Sequence, residues 1–450
     1  MSTHFPPSFA WGTATASFQI EGATTVDGRG ESIWDRFAAT PGKISTGEVG
    51  DPACESYTRY SEDIALMREM GLNAYRFSIA WPRVIPDGIG ALNTLGLDYY
   101  ERVIDALLAA EITPYVTLYH WDLPQKLQDS GGWANRVSID AFVRYADLVV
   151  ARLGDRVKSW TTFNEPWCVA ILSNLIGEHA PGLRDPKIAL QVAHNVLVAH
   201  GAAVPVIRSR CPDGEVGIVL NFEPAYPATD TETDEQLTRV NHQKFNEWFL
   251  NPVTGRGYPQ AAWRDYGDAV PEIQPGDMET MAAPIDFLGV NYYTRKVWHD
   301  AAGGTGTRTL HQRDEINVSA RGWEIYPQAL LDLLTWISSE YKLPKIMVTE
   351  NGMACNDVIA ADGAVHDPER ISFIYQHLQM ILRAIDAGIP VTGYMCWSLM
   401  DNFEWACGTS SRFGLAYTDF HTQRRFLKDS GRWFGAVARA NALIDAQAPS

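Results

Sequence analysis

Short apolar runs alternate along the chain with longer stretches in which apolar side chains recur every three or four positions. The first kind predicts strands and the second amphipathic helices, since the two structures repeat at 2 and 3.6 residues. Eight strand candidates emerge, at residues 9–17, 74–79, 113–119, 159–163, 216–221, 287–291, 346–349 and 393–398. Several are continuous rather than alternating, as strands covered on both faces are. Between them, Tyr57, Tyr60, Ile64 and Met67 form a helical stripe that Gly71 can close. A second stripe holds Tyr100, Val103, Ile104, Leu107 and Leu108. A third runs Phe142, Tyr145, Ala146, Val149, Val150 and Leu153, up to Gly154. Asp367-Pro368 reads as an N-cap followed by proline at the first helical position, ahead of Ile371, Ile374, Tyr375, Leu378, Leu382 and Ile385.

Eight strands separated by helices predict an α/β fold: one (β/α)8 barrel with long strand-to-helix loops, as a single domain over residues 1–450. The alternative is an open doubly wound sheet. Its nucleotide-binding form requires GxGxxG after a strand. The nearest stretch, Gly304-Thr305-Gly306, lacks the third glycine and follows no strand candidate. The stretch after Ile20, residues 222–235 and the Gly/Thr-rich residues 301–308 read as loops. No fixed-period repeat and no Pro/Ser-rich linker interrupts the pattern.

Composition narrows the function classes. Of 450 residues, 46% are hydrophobic and 20% charged, the balance of a soluble protein with a large core. A formal charge of −17 argues against nucleic acid or an anionic membrane as partner. No uninterrupted apolar run reaches the ~18 residues of a bilayer span. The opening residues lack the basic and apolar regions of a secretory signal, so a cytoplasmic protein is expected. The six cysteines are dispersed without a CxxC pair, which disfavours a zinc ribbon and predicts free thiols. Neither metal nor cofactor is expected, and the oligomeric state is left open. With 15 Trp, 18 Tyr and 17 Phe, the chain has either a large aromatic core or flat platforms suited to sugar rings.

Chemistry-bearing residues gather where the strand candidates stop. The fourth ends in Thr162-Phe-Asn164-Glu165-Pro166 and the seventh in Val348-Thr-Glu350-Asn351-Gly352. The third ends in Tyr119-His120-Trp121-Asp122, the sixth in Asn291-Tyr292-Tyr293, and the eighth in Trp397-Ser398. In a parallel barrel these ends share one rim. Glu165 and Glu350 can therefore face each other, and a carboxyl pair is what glycoside hydrolysis uses: one protonated, one ionised. Arg76, near the end of the second strand, can hold one ionised. Apolar Pro166 and Trp167 beside Glu165 can raise its pKa. Taken singly each residue has a plainer reading: a solvated glutamate, a core histidine at His120, a structural ion pair at Arg76, core packing at Trp323.

At these motifs the chain resembles the family-1 β-glycosidases, over nearly its whole length. Phe9-Ala-Trp-Gly-Thr-Ala-Thr-Ala-Ser-Phe-Gln19-Ile-Glu21-Gly22 is similar to the family's N-terminal signature. The Glu165 and Glu350 segments resemble its acid/base and nucleophile motifs, and the stretch Cys396-Trp397 to Glu404-Trp405 its sugar-binding segment. The resemblance implies a retaining, exo-acting β-glucosidase on small β-glucosides or cello-oligosaccharides, with side activity on β-galactosides and β-fucosides. It implies Glu350 as nucleophile, Glu165 as acid/base and Asn164 as the contact to the sugar 2-hydroxyl. Gln19, His120, Glu404 and Trp405 would hold the other hydroxyls, with Trp397 as stacking floor and Trp121 beside it. Tyr293, Asn291 and Arg76 would orient Glu350, and Trp323 would line the leaving-group side. Trp167 and Leu172, following Glu165, would narrow the pocket mouth. An anionic Glu404 at the sugar 6-position disfavours a 6-phosphorylated substrate. Thr409 stands where the family usually has tyrosine.

Overall fold

The computed structural model describes residues 3–301, 304–307 and 317–446. Each of the eight predicted strands is present. They are β1 (Ala10–Ala14), β2 (Ala74–Ser78), β3 (Thr113–Tyr119), β4 (Ser159–Asn164), β5 (Glu215–Phe222), β6 (Phe287–Tyr292), β7 (Ile346–Asn351) and β8 (Val391–Trp397). All pair in parallel, and β8 returns to β1 to close a barrel. Every residue of β1, β2, β4, β6 and β7 is buried, which is why their apolar runs do not alternate.

The predicted stripes lie on the helices that wrap this barrel. Tyr57, Ile64 and Met67 are buried on α1 (Ser56–Met70), which Gly71 ends at φ 73°. Residues 100–107 lie on α2 (Thr94–Ala109), where Leu108 turns outward, and the third stripe on α3 (Val137–Leu153). Helix α4 (Pro186–Arg210) has a mean hydropathy of 1.4 and is, by length and composition alone, long and apolar enough to cross a membrane. Lys187, Gln191, His194, Asn195 and His200 interrupt its apolar residues, and 78% of its apolar window is buried within the fold. Asp367 does precede α5 (Pro368–Asp386), but its carboxylate binds Arg370 and Ser430 and makes no cap hydrogen bond to the helix start.

Two loop expectations are corrected. Residues 222–235 include a strand, Ala225–Pro227, and the start of the helix Glu232–His242, which Thr231 caps by accepting from the Asp234 amide. Residues 304–307 form a strand antiparallel to Lys296–Ala301, which in turn pairs with Ala225–Pro227. Edge pairing outside the barrel lets these segments be strands without an apolar run of their own. Residues 302, 303 and 308 lie outside the described residues.

Candidate active site

The strand ends converge as a barrel requires. Arg76 lies in β2, His120 and Trp121 follow β3, and Asn164 closes β4 with Glu165 next. Asn291 lies in β6 with Tyr293 just past its end, Glu350 sits near the end of β7, and Trp397 closes β8. Gln19 belongs to a short helix after β1, Ser17–Ile20. The pairing register slips between Thr161 and Asn164 on β4 and between Val348 and Glu350 on β7. Such irregularities re-aim side chains, and here they fall at both candidate catalytic carboxyls. Glu165, Trp121 and Trp405 also hold left-handed backbone at φ 50°, 79° and 48°, a conformation that costs non-glycine residues energy and clusters at functional sites.

A cavity of ≈ 690 Å³ opens on this rim. Of the predicted residues, His120, Trp121, Glu165, Trp167, Leu172, Asn291, Tyr293, Trp323, Glu350, Trp397, Glu404 and Trp405 line it. Gln19, Arg76 and Asn164 stand directly behind, buried against lining residues.

The two carboxyls have different surroundings. Glu350 accepts a 2.6 Å hydrogen bond from the buried Arg76 guanidinium through Oε1 and a 2.7 Å bond from the Tyr293 hydroxyl through Oε2. A buried ion pair of this kind is costly to break, because either partner alone is an uncompensated charge. Among the described residues, no cation is in contact with Glu165. Its Oε1 accepts from Asn291 Nδ2 at 2.7 Å and its Oε2 from the Cys168 thiol at 3.1 Å. Burial, with the charge of Glu350 second, pushes Glu165 up to about 8. One carboxyl thus has a fixed counter-charge, and the other retains its proton through neutral pH.

Asn291 differs from its expected role. It contacts Glu165 and Asn164 Oδ1, the latter at 3.1 Å, and makes no hydrogen bond to Glu350. The cause is the hydroxyl of Thr349, which donates to Asn291 Oδ1 at 2.7 Å and turns the amide nitrogen toward β4. Asn164 is held on three sides: its Oδ1 also accepts from Arg76 at 2.6 Å, and its Nδ2 lies 3.0 Å from His120 Nε2. His120 is kept neutral by burial, then by the charge of Arg76, and among the described residues its Nδ1 has no partner. Gln19 donates to Asn402, Phe403 and, at 3.4 Å, Glu404, which leaves its Oε1 without a partner among the described residues.

Glu404 is perturbed as well. Burial raises it to about 7, against the influence of Arg321, so it carries only part of a charge at neutral pH. Aromatic walls complete the cavity. Trp405 packs on Trp121 and Trp34 at 4.5 Å, the His120 ring stacks 6.0 Å from Trp397, and Trp323 packs 5.5 Å from Tyr293. At the mouth, Trp167 lies 4.4 Å from Phe245. Thr409 is tied to Glu48 through its amide and hydroxyl, at 2.7 and 2.6 Å.

Sequence reasoning missed Cys168, His179, Asn221, Phe245, Arg321 and Phe413, all of which line the cavity. Only Cys168 had a legible signal, its position three residues after Glu165. Among the described residues no cluster of three or more His, Cys, Asp or Glu side chains has metal-binding geometry.

Residues 1–443 match the model of the family described as glycosyl hydrolase family 1. The chain is 46% identical over 443 residues to beta-glucosidase A of Thermotoga maritima, spanning 98% of this chain and 99% of that protein. It is 43% identical over 443 residues to beta-glucosidase A of Acetivibrio thermocellus, again spanning 98% and 99%. A solved family 1 β-glucosidase from Thermotoga maritima, in complex with isofagomine lactam, superposes with a TM-score of 0.95. Identity there is 45%, covering 98% of this chain and 100% of that one.

Proposed function

The chain belongs to glycosyl hydrolase family 1 and is a retaining β-glucosidase, and we propose that it removes terminal glucose units with Glu350 as nucleophile and Glu165 as acid/base. The observation that carries this assignment is the asymmetry of the carboxyl pair: Arg76 at 2.6 Å from Glu350, and a buried Glu165 raised to about 8.

The first step uses both states at once. Glu350 attacks the anomeric carbon while Glu165 passes its proton to the departing oxygen, leaving a glucosyl ester on Glu350 and a carboxylate at Glu165. Loss of the Glu350 charge removes one of the forces that held the Glu165 proton, so the second carboxyl becomes a base as the first is esterified. Glu165 then takes a proton from water, which attacks the same carbon and releases β-glucose. Asn164, fixed by Arg76 and Asn291, presents its amide toward the sugar 2-hydroxyl, a contact that strengthens as positive charge develops on the ring. Gln19, His120, Glu404 and Trp405 hold the remaining hydroxyls over Trp397, with Trp121 beside it. Trp323, Trp167 and Leu172 border the leaving-group side. Cello-oligosaccharides and aryl or alkyl β-glucosides are the substrates of this reading, with β-galactosides and β-fucosides accepted more weakly. A cytoplasmic setting belongs to the same reading, supported by six free thiols.

Glu165→Ala tests the assignment. It should slow hydrolysis of cellobiose and alkyl glucosides by roughly 10²–10⁴-fold, the usual worth of a general acid, and spare glycosylation by activated aryl glucosides, which need no proton. Equal losses on both substrate classes would remove Glu165 from the acid role.

A further inference from the structure

Cys168 occupies the first turn of a π-helical segment, Cys168–Ile176, that begins just beyond Glu165. The turn before it, closed by the Cys168 and Val169 amides donating to the Glu165 carbonyl, sets the thiol beside the carboxyl three residues earlier, with Sγ 3.1 Å from Glu165 Oε2. On its other side the sulfur faces Asn221 Nδ2 at 3.8 Å, a weak donor contact that occupies a sulfur lone pair. With that side taken, the S–H is left to point at Glu165. Asn291 serves the other carboxyl oxygen, so two donors converge on one carboxyl from two different elements. Donors aimed at both oxygens favour the ionised form over the acid.

We propose that Cys168 is a positioning residue for the acid/base carboxyl, its thiol holding Oε2 of Glu165 and steadying the carboxylate left after the leaving group is protonated. The inference rests on the reading of Glu165 as acid/base. No covalent change at sulfur is involved: the proton on Glu165 goes to the leaving oxygen, and the S–H stays in place as a donor throughout. The charged groups that bear on Glu165 are Glu350 from β7, which opposes ionisation, and Arg76 from β2, which favours it; the Tyr293 phenol faces the same space. Burial and the adjacent Glu165 hold the thiol itself well above its ordinary range, so it does not titrate in the working pH range.

The experiment is the pH dependence of kcat/KM on cellobiose for the parent, Cys168→Val, Cys168→Ala and Cys168→Ser, with Glu165→Ala measured on an activated aryl glucoside. Valine fills the space without a donor, alanine empties it, and serine restores an O–H. The alkaline limb should move up by about half a pH unit in the Val and Ala variants, as loss of one weak hydrogen bond predicts, and return toward the parent in Ser. Parent and Val profiles that superimpose would overturn the inference, as would equal shifts in Val and Ser, which assign the effect to packing. An alkaline limb that persists unchanged in Glu165→Ala would instead overturn the acid/base reading itself. A limb lost in Glu165→Ala but unmoved by Cys168→Val would leave that reading standing and remove only the role of the thiol.

Discussion

Two regions of this protein bury several charges each, and they settle them differently. Behind β7 and β8, Arg370, Lys428 and Arg412 meet Asp357, Asp367 and Asp401. Arg370 binds Asp357 at 2.7 Å and also Asp367, Lys428 joins Asp357 and Asp401 at 2.5 and 2.6 Å, and Arg412 closes on Asp401 at 2.6 Å. Three cations balance three anions. Asp357 stays below its ordinary range because Arg370 and Lys428 outweigh its burial, and Asp367, raised by burial, is still opposed by Arg370, Ser430 and Lys428. In the cavity, Glu350 pairs with the buried Arg76, which also bears on Glu165, while only the exposed Arg321 bears as a cation on Glu404 among the described residues. That imbalance is settled by protons: Glu165 is raised to about 8 and Glu404 to about 7. Matched charges make a clamp, whereas unmatched ones make groups that exchange protons near neutral pH.

The sharpest way to break this comparison is in the balanced region. Arg370→Leu leaves Asp357 and Asp367 short of a counter-charge and should cost ~3–5 kcal/mol of stability, read by urea unfolding, because a buried pair has lost one partner. The folded fraction should keep parental KM, since Arg370 does not line the cavity. A loss near zero would mean that the network is not what holds this side of the barrel.

The unbalanced region predicts the opposite sign. Glu165 is raised in the folded protein, so below about pH 4.5 it is protonated in both folded and unfolded chains and costs nothing. As pH rises toward 8 the unfolded chain releases its proton and the folded one retains it, so this group lowers stability progressively, and the cost levels off above its folded value. Glu165→Gln removes that slope. Melting compared at pH 5 and pH 9 should show the variant gaining on the parent by ~4 kcal/mol at the higher pH. A constant difference between the two would show that Glu165 is not strained by its surroundings.

What the sequence made legible follows from the same physics. The barrel strands are largely buried on both faces, so short apolar runs, several of them continuous, announced all eight, and residues 113–119 were bounded as observed. The carboxyls proposed as catalytic were legible as candidates because strand ends carry them, flanked by asparagine. The segments around Ala225–Pro227 and Gly304–Thr307 were not, since their pairing partners lie outside the barrel and no apolar pattern is needed there. The Thr231 cap was a readable signal that the polar composition of its neighbourhood obscured. Asn291 was assigned to the wrong carboxyl because one neighbouring hydroxyl, Thr349, decides which way its amide turns. The ionic network behind β7 was invisible for a simpler reason: Arg370, Asp401 and Lys428 lie far apart in sequence, and no local pattern announces a pair.

The smallest effect is also the most direct test. The proton on Glu165 should be followed by NMR titration of labelled glutamate carboxyls in the parent and in Glu350→Gln. The parent should titrate Glu165 near 8, and removing the facing charge should bring it down by about one unit or more while burial keeps it above an ordinary glutamate. A Glu165 that titrates below 5 in the parent, or that does not move when Glu350 is neutralised, would contradict the account.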